Sequence, residues 1–390
     1  MEYFSTVSAI CRASMKSPSN ALINHIKKLI KALEKDNQIE QANILKEIIE
    51  SQSIETELKP SRVTLSRLAL SGEVLTPNVK PPVDKESGNY LADIIFFPND
   101  GHYAKPIFEE GLEKSISYLL EEWKHSEDLQ KNGLNPAYSV MLFGLPGTGK
   151  THLATYLASQ QELPLVVAKL DGLLSSFLGT TARNIANLFN FVNRYKCILL
   201  LDEFDAIAKL RNDPNELGEL KRVVNTLLQC LDERSKTGYT IAITNHESLL
   251  DPAIWRRFDL RIEVPKPSLI VRRQILKNLM NKSNTLTDLQ LTFLSIMTEN
   301  YSGSDLSKLI GFLNRKKIIT KDNFDFISTV KEFINLNANL TNYEIVKSLT
   351  SDEESLVKFL KYDNLFKLTQ IEIAELLNTK QPAISRLLKK

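Results

Sequence analysis

A glycine-rich run at positions 144–151, Gly-Leu-Pro-Gly-Thr-Gly-Lys-Thr, most constrains how this chain can fold. It matches the pattern G-x-x-x-x-G-K-[ST], and it lies between a strand-like run at 139–143 and a helix-forming stretch at 152–159. Glycines let the backbone approach closely, so that successive N–H groups can point at phosphate oxygens, and the N-terminus of the following helix favours the same negative charge. The strand–loop–helix context therefore predicts a phosphate-binding loop.

The motif also predicts what the loop binds. Lys150 is expected to contact the β- and γ-phosphates of ATP, and the Thr151 hydroxyl is expected to lie on Mg²⁺. ATP and Mg²⁺ are accordingly the predicted cofactors. The candidate binding residues along this stretch are Gly144, Pro146, Gly147, Thr148, Gly149, Lys150, Thr151 and His152.

An acidic pair, Asp202-Glu203, follows the apolar run at 197–201. Such a run is typical of a strand buried on both faces, and a parallel sheet places ligand-binding groups at the carboxyl ends of its strands. Asp202 is suited to hold Mg²⁺ through water, and Glu203 is suited to orient and activate an attacking water. The pair predicts the second half of the same site.

Strand-like runs alternate with helical stretches along the middle of the chain, which predicts a parallel sheet covered by helices on both faces. After Pro265 and Pro267 the pattern is helical only. The predicted fold is an α/β P-loop domain plus an α-helical lid, flanked by an N-terminal helical hairpin and a C-terminal helix-turn-helix. The predicted strands are Ser139–Phe143, Leu163–Val167, Cys197–Leu201 and Tyr239–Thr244.

A length of 390 residues suits two or three domains. The predicted divisions are an N-terminal helical domain at 1–58, a linker at 59–104, a large α/β subdomain at 105–265, a lid at 266–345 and a helix-turn-helix module at 346–390. The linker is rich in turn residues, with room for one short strand. The role of the N-terminal hairpin, as a cap, an adaptor or an oligomerisation element, stays open.

Composition excludes several classes of protein. Three scattered cysteines show no metal-ligand or redox spacing, and no apolar run reaches the roughly 18–20 residues that span a bilayer. We therefore expect a cytoplasmic protein without a membrane partner. The 49 basic residues nearly balance the 47 acidic residues, so the net charge indicates no partner.

Several ordered motifs resemble the AAA subgroup of AAA+ ATPases across roughly residues 105–320. Residues 202–207 are similar to the subgroup's hydrolysis motif, and Asn245 occupies the position of the sensor asparagine that orients the attacking water. The run 301–306, Tyr-Ser-Gly-Ser-Asp-Leu, resembles the lid motif whose small residues, here Gly303 and Ser304, pack against the nucleotide base. The resemblance implies a homo-oligomeric ring, most often a hexamer.

The run 250–259 resembles the subgroup's second region of homology, whose arginines reach the γ-phosphate of the neighbouring subunit. Such arginine fingers contribute roughly 10³–10⁵ in rate. Arg256 and Arg257 are adjacent here, as in the katanin and spastin branch, which leaves open which of them makes the main contact.

Two segments point to what the protein acts on. Phe177 and Leu178, followed by Gly179, lie where related unfoldases have an aromatic pore loop that grips polypeptide, although Phe177 could also be an ordinary core residue. Residues 368–388 resemble a repressor-type helix-turn-helix, in which Gln381, Ala383, Ser385 and Arg386 would enter a major groove of double-stranded DNA. A helical hairpin used for packing or protein docking is the alternative.

Two functions follow as expectations. The first is a ring-forming motor that remodels, unfolds or threads a protein substrate. The layout is similar to bacterial AAA ATPases encoded beside subtilisin-like serine proteases and associated with phage defence, which implies a separate protease partner. The second is a DNA-directed ATPase targeted by its C-terminal module, in a mobile element or a regulatory role.

Overall fold

The structure is a computed structural model, and its residues separate into two compact units, Met1–Arg67 and Leu68–Lys390. The residues that it describes are 26, 28–30, 32–33, 38, 41–46, 72–97, 103–173, 178–208, 217–234, 238–280, 286–340, 346–347, 352–362 and 368–389. In the first unit the described residues on both sides of Gln38 are helical. Ile26, Ile30 and Leu45 are buried there, as the helical spacing of apolar residues predicts.

The strands of the second unit are β1 Glu73–Val74, β2 Ala92–Ile95, β3 Ser139–Phe143, β4 Leu165–Ala168, β5 Tyr195–Leu201, β6 Gly238–Thr244 and β7 Leu260–Glu263. They form a sheet in the order β2-β4-β5-β6-β3-β7, with β1 paired to β5 outside this path. All of the described pairings are parallel except that of β2 with β4, which confirms the predicted parallel sheet apart from this antiparallel edge strand.

Helices cover both faces of this sheet and then form a separate helical layer. The helices are α1 Glu110–Lys124, α2 Ser126–Lys131, α3 Lys150–Gln160, α4 Leu170–Leu173, α5 Leu178–Arg194, α6 Asp205–Ala208, α7 Leu217–Glu233, α8 Pro252–Trp255, α9 Leu269–Asn278, α10 Asp288–Met297, α11 Gly303–Thr320, α12 Phe326–Leu336, α13 Glu353–Tyr362, α14 Gln370–Leu376 and α15 Gln381–Leu387. None of the described helices is long and apolar enough to cross a membrane.

The central strand β5 is buried on both faces, which explains why its sequence is continuously apolar. Cys197 and Leu199 belong to one hydrophobic cluster together with residues of α5 and α7. Ile198 and Leu200 point to the opposite face and belong to a second cluster with residues of α1 and α3. Because side chains alternate across a strand, burial on both faces requires apolar residues at every position.

The structure differs from the predicted linker over residues 72–97. This stretch contributes β1 and β2 to the sheet, and Leu91, which is fully buried, accepts a 2.9 Å hydrogen bond at its carbonyl oxygen from the backbone of Lys169. The run at 91–95 has enough apolar residues to form the one short strand that the sequence allowed in this linker, whereas the pairing of residues 73–74 with β5 was not predicted.

Helices α9 to α15 share one hydrophobic core, in which Ile373 and Ile384 are buried together with Leu306 and Leu356. The sequence had predicted a lid and a separate C-terminal module divided at residue 345. The last two helices have seven residues each, and helices of this length bury little surface alone. They are stabilised by packing on the helices before them.

Candidate nucleotide-binding site

The carboxyl ends of three neighbouring strands bring the predicted site residues together. The glycine-rich loop follows β3, Asp202 and Glu203 follow β5, and Asn245 follows β6, which lies between the other two strands. They line one cavity of about 630 Å³. Its lining includes Pro146, Gly147, Thr148, Gly149, Lys150, Thr151, His152, Asp202, Glu203, Asn245, Gly303 and Ser304.

Three loop glycines have backbone conformations that side chains rarely adopt. Their φ angles are +137° at Gly144, +76° at Gly147 and +102° at Gly149. A Cβ atom at Gly144 would also lie 2.4 Å from the carbonyl oxygen of Val264. Glycine is therefore required at Gly144 both by the backbone conformation and by the close approach of β7.

Lys150 is held within the loop that precedes it. Its ammonium group donates hydrogen bonds to the carbonyl oxygens of Gly144, at 2.8 Å, and Leu145, at 2.7 Å. Burial lowers the pKa of Lys150, while the negative charges of Asp202 and Asp205 act in the opposite direction. The cation is thus positioned beside the loop and the acidic residues.

Thr151 and Asp202 provide oxygen ligands suited to Mg²⁺. The Thr151 hydroxyl donates a 3.0 Å hydrogen bond to one carboxylate oxygen of Asp202, and the other oxygen accepts one of 2.8 Å from the backbone of Glu203. A hydroxyl beside a carboxylate fits a small hard cation that takes its other ligands from phosphates and water. Glu203 itself has φ +50°, an uncommon conformation for a residue other than glycine, and its side chain is exposed.

Thr244, to which the sequence assigned no role, fixes the turn that carries Asn245. The buried Thr244 hydroxyl donates to the carboxylate of Asp205 at 3.2 Å and accepts from the backbone of His246 at 3.0 Å. These bonds bracket Asn245 in the chain and connect the end of β6 to α6. Asp205 is therefore a positioning residue, and the only sequence signal for it is its place in the acidic motif after β5.

The start of α11 contacts the phosphate loop directly. The backbone N–H of Ser304 donates a 3.1 Å hydrogen bond to the carbonyl oxygen of Gly147. A Cβ atom added at Gly147 would lie 2.5 Å from the hydroxyl oxygen of Ser302, and one added at Gly303 would lie 3.5 Å from the Gly147 carbonyl oxygen. The small residues of this motif thus pack against the loop, a contact that the resemblance had assigned to the base.

The lining of the cavity also includes residues that sequence reasoning missed. Ala104–Phe108 line it from the segment before α1, and Ile275 and Leu279 line it from the region of α9. The Nε2 atom of His152 lies 3.0 Å from the carbonyl oxygen of Ala104. Apolar side chains with few polar groups are typical of a surface that accepts a planar ligand. No short motif marks such a wall.

Arg257 lies at the opposite edge of the sheet, and Arg256 directly precedes it in the chain. The carbonyl oxygen of Arg257 accepts a 3.0 Å hydrogen bond from the Ser139 hydroxyl, at the amino end of β3. The phosphate loop begins at the other end of this five-residue strand, and strands rise about 3.3 Å per residue. The arginines therefore do not converge with the other predicted site residues in one chain.

The two arginines differ in their surroundings. Arg257 forms an ion pair of 3.2 Å with Asp232 and also donates to the carbonyl oxygen of Ala253. The Arg256 side chain is exposed and makes no hydrogen bond or ion pair with any other described residue. Of the two arginines, Arg256 is thus the one that can reach another molecule without breaking a contact with the described residues.

Of the remaining predicted residues, none that the structure describes lines this cavity. Phe177 lies outside the described residues, as does the side chain of Leu178, although the backbone of Leu178 begins α5. Near the C-terminus, α14 and α15 are joined by a turn in which Asn378 has φ +49°, a conformation that asparagine adopts more readily than most residues. On α15, Gln381 and Arg386 are exposed, whereas Ala383 and Ser385 are half-buried.

Comparison with known proteins agrees with this geometry. Residues 140–266 match the sequence model of the ATPase family associated with various cellular activities (AAA). An uncharacterized AAA family ATPase, y4kL of Sinorhizobium fredii, is 43% identical over 156 residues, which are 40% of this chain and 47% of that protein. The proteasome-activating nucleotidase of Thermococcus onnurineus is 33% identical over 249 residues, which are 59% of this chain and 62% of that protein.

A crystal structure of the FIGL-1 AAA domain in complex with ADP superposes with a TM-score of 0.52 at 22% identity, over 71% of this chain and 94% of that one. This likeness shows a common fold. The chain spans less than two thirds of the length of the curated relatives, 47% and 62%. Residues 140–266 are therefore similar to AAA ATPase domains, and the candidate nucleotide cavity lies at the carboxyl edge of the sheet.

We expect Gly147→Ala to weaken ADP binding by at least about tenfold, because the new methyl group meets Ser302 where the lid touches the loop, in addition to a backbone penalty of about 1–2 kcal/mol. Isothermal titration of the purified full chain measures the affinity. Gly133→Ala is the matched control, since Gly133 has the same φ of +76° and no atom within 4 Å of an added Cβ. Equal losses in the two variants would contradict a specific role for the contact with the lid.

We expect Thr244→Val to lower the maximal rate of ATP hydrolysis by about tenfold while ATP affinity changes little. The substitution keeps the shape but removes the hydroxyl that donates to the buried Asp205 carboxylate and accepts from the His246 N–H, and an unsatisfied buried group costs about 1–3 kcal/mol. Steady-state kinetics measure both quantities. Thr240→Val, on the same strand, is the control: the buried Thr240 hydroxyl has no hydrogen-bond partner among the described residues, so this change should be nearly neutral.

Proposed function

We propose that this chain is a motor that hydrolyses ATP in a ring of identical subunits, a hexamer, and remodels, unfolds or threads a protein substrate. The observation that carries the ring is that neither Arg256 nor Arg257 lines the nucleotide cavity, and that the Arg257 backbone lies at the amino end of β3. A cation outside the cavity can stabilise phosphate charge in a neighbouring subunit. Each active site is then shared between two chains.

Within one subunit the residues have distinct tasks. The glycine-rich loop and Lys150 bind the β- and γ-phosphates, and Thr151 and Asp202 would hold Mg²⁺, which neutralises phosphate charge when bound. Asn245 orients the attacking water, and Glu203 accepts its proton as the oxygen bonds to the γ-phosphorus and the bond to the ADP oxygen breaks. Arg256 of the next subunit stabilises the charge that develops on the transferred group.

The free side chain favours Arg256 over Arg257 as the main finger. We expect Arg256→Ala to lower hydrolysis by about 10³-fold or more, and Arg257→Ala to lower it less, since Arg257 is engaged with Asp232 in its own chain. Mixing Arg256→Ala with Glu203→Gln subunits should restore part of the activity, because some interfaces then combine an intact Glu203 with an intact Arg256. Phosphate release across mixing ratios measures this, and activity that never exceeds the sum of the two variants would contradict action in trans.

A protein substrate is supported by the likeness to a proteasome-activating nucleotidase. We propose that Phe177 and Leu178 contact the polypeptide in the central pore of the ring. A separate serine protease acting on the remodelled chain, in a defence role, is the partner that this proposal includes.

A DNA-directed role is the second candidate, and one contact favours it. The side-chain amide of Gln381 at the start of α15 donates a 3.3 Å hydrogen bond to the amide oxygen of Gln370 on α14. This bond orients an exposed residue where a recognition helix would meet a base edge, and Lys380, Arg386 and Lys389 are exposed on the same segment.

One capture experiment separates the two candidates. Glu203→Gln should bind ATP yet hydrolyse it about 10²-fold more slowly, since a positioned base contributes roughly 10²–10⁴ in rate. The variant is expressed in the native host and purified in ATP, and the bound molecules are identified by mass spectrometry and sequencing. We expect protein that is absent from a Lys150→Ala control. Recovery of duplex DNA without protein would favour the second candidate instead. In that case the DNA should be lost when Arg386→Ala is added and kept when Arg315→Ala is added.

A further inference from the structure

The segment that carries the two arginines lies between two aromatic residues. Trp255 ends α8 and precedes Arg256, and Phe258 follows Arg257. Backbone hydrogen bonds close this segment into a turn, one of 3.0 Å from the Arg257 N–H to the Ile254 carbonyl oxygen and one of 3.4 Å from the Phe258 N–H to the Trp255 carbonyl oxygen. The two aromatic rings and the arginines therefore belong to one local unit.

The Trp255 ring contacts the residue that precedes the phosphate loop. Its centroid lies 5.4 Å from that of the Phe143 ring, and the two ring planes meet at 84°. Phe143 is the last residue of β3 and is followed directly by Gly144. Edge-to-face pairs of this kind are favourable and specific in geometry. A shift of the loop that includes Phe143 therefore changes the surroundings of Trp255.

The Phe258 ring contacts the residue that follows Glu203. The centroids of Phe258 and Phe204 lie 5.9 Å apart at an interplanar angle of 82°, and both side chains are buried. The Phe204 N–H donates a 2.8 Å hydrogen bond to the carbonyl oxygen of Ile243, while Glu203 is held at φ +50°. Such a backbone conformation persists only where its neighbours enforce it. Phe204 is thus the anchor of Glu203, and its ring rests on the segment with the arginines.

These two contacts connect both halves of the candidate site to one short segment, and packed side chains of this kind can carry coupling between distant groups. We propose that Trp255 and Phe258 are positioning residues, which set the position of Arg256 according to whether the cavity of the same chain holds a nucleotide. Each chain then presents its arginine to the next chain in a position that follows its own nucleotide. The proposal rests on the proposed ring motor and names the side chains that connect one site to the next.

Trp255 itself reports the first contact, because the chain has two tryptophans and the other, Trp123, is fully buried against Tyr239. We expect the tryptophan emission of the full chain to change on titration with ADP and to saturate at the dissociation constant that calorimetry gives. Trp255→Phe keeps an aromatic ring, so it should bind ADP with similar affinity and show no such change. A protein that binds ADP without any emission change from Trp255 would overturn the proposal.

Mixed assemblies show which chain's nucleotide Trp255 senses. In the first mixture, chains with Trp255 also carry Lys150→Ala, and their partners carry Trp255→Phe with an intact phosphate loop. In the reciprocal mixture, Lys150→Ala is moved to the Trp255→Phe chains. We expect ADP to change the emission in the reciprocal mixture alone. A change of equal size in the first mixture would mean that Trp255 senses the neighbouring cavity, which contradicts the proposal.

Phe258→Leu tests the second contact. Its own cavity is intact, so its ADP affinity should change little, while the maximal rate of hydrolysis should fall by about 10²-fold, since a misplacement of about 1 Å can cost that much. The defect lies in the arginine given to the next chain, so mixing with Glu203→Gln subunits should restore part of the rate, as for Arg256→Ala. Phe189→Leu is the matched control, because Phe189 is buried in the same cluster but lies on α5, and we expect no such recovery for it.

Recovery of Phe258→Leu without recovery of Phe189→Leu would support the proposal. A folded Phe258→Leu variant with a full rate, or with a reduced rate that Glu203→Gln does not restore, would overturn it. The emission test needs no substitution in the core, so it decides the matter if Phe258→Leu does not fold. Failures of the proposed function look different: the unsubstituted protein would bind no ADP, or Arg256→Ala itself would not be restored by Glu203→Gln.

Discussion

The close approach of glycine backbone to its neighbours is the constraint on which this structure depends. Gly144 lies against the carbonyl group of Val264, and Gly147 lies against Ser302 and accepts a hydrogen bond from Ser304. A side chain at either position would push β7 or the start of α11 away. The loop that is suited to bind phosphate is therefore also the joint between the sheet and the helical layer, so a change in the loop must alter the contact with α11.

The direction of the parallel strands brings different groups to the two edges of the sheet. Their carboxyl ends collect the acidic pair, Asn245 and the phosphate loop, while the connection that precedes β7 leaves the Arg257 backbone at the amino end of β3. No side-chain rotation can bring a group across the full length of β3. Among the described residues, no arginine lines the cavity, which is the arrangement that the proposed ring requires.

The parts that the sequence predicted are those with local physical signals. The strand β5 is apolar throughout because both faces are buried, and the phosphate loop is recognisable because its glycines and Lys150 are adjacent. The cavity wall at Ala104–Phe108 and the bond between Thr244 and Asp205 could not be predicted in this way, since their partners are distant in sequence and come from different strands and loops. The division at residue 345 failed to anticipate the shared core for a similar reason: helical periodicity shows which face is buried but not against what.

The shared core also changes how the C-terminal helices must be understood. Ile384 packs in the same cluster as Leu306, and Leu306 is on the helix whose first turn contacts Gly147. Packed cores transmit displacement because they compress little. If α11 moves relative to the phosphate loop during an ATP cycle, α14 and α15 must move with it. Packing and DNA contact are therefore compatible roles for this helix pair, because its inner face joins the core while Gln381 and Arg386 remain exposed.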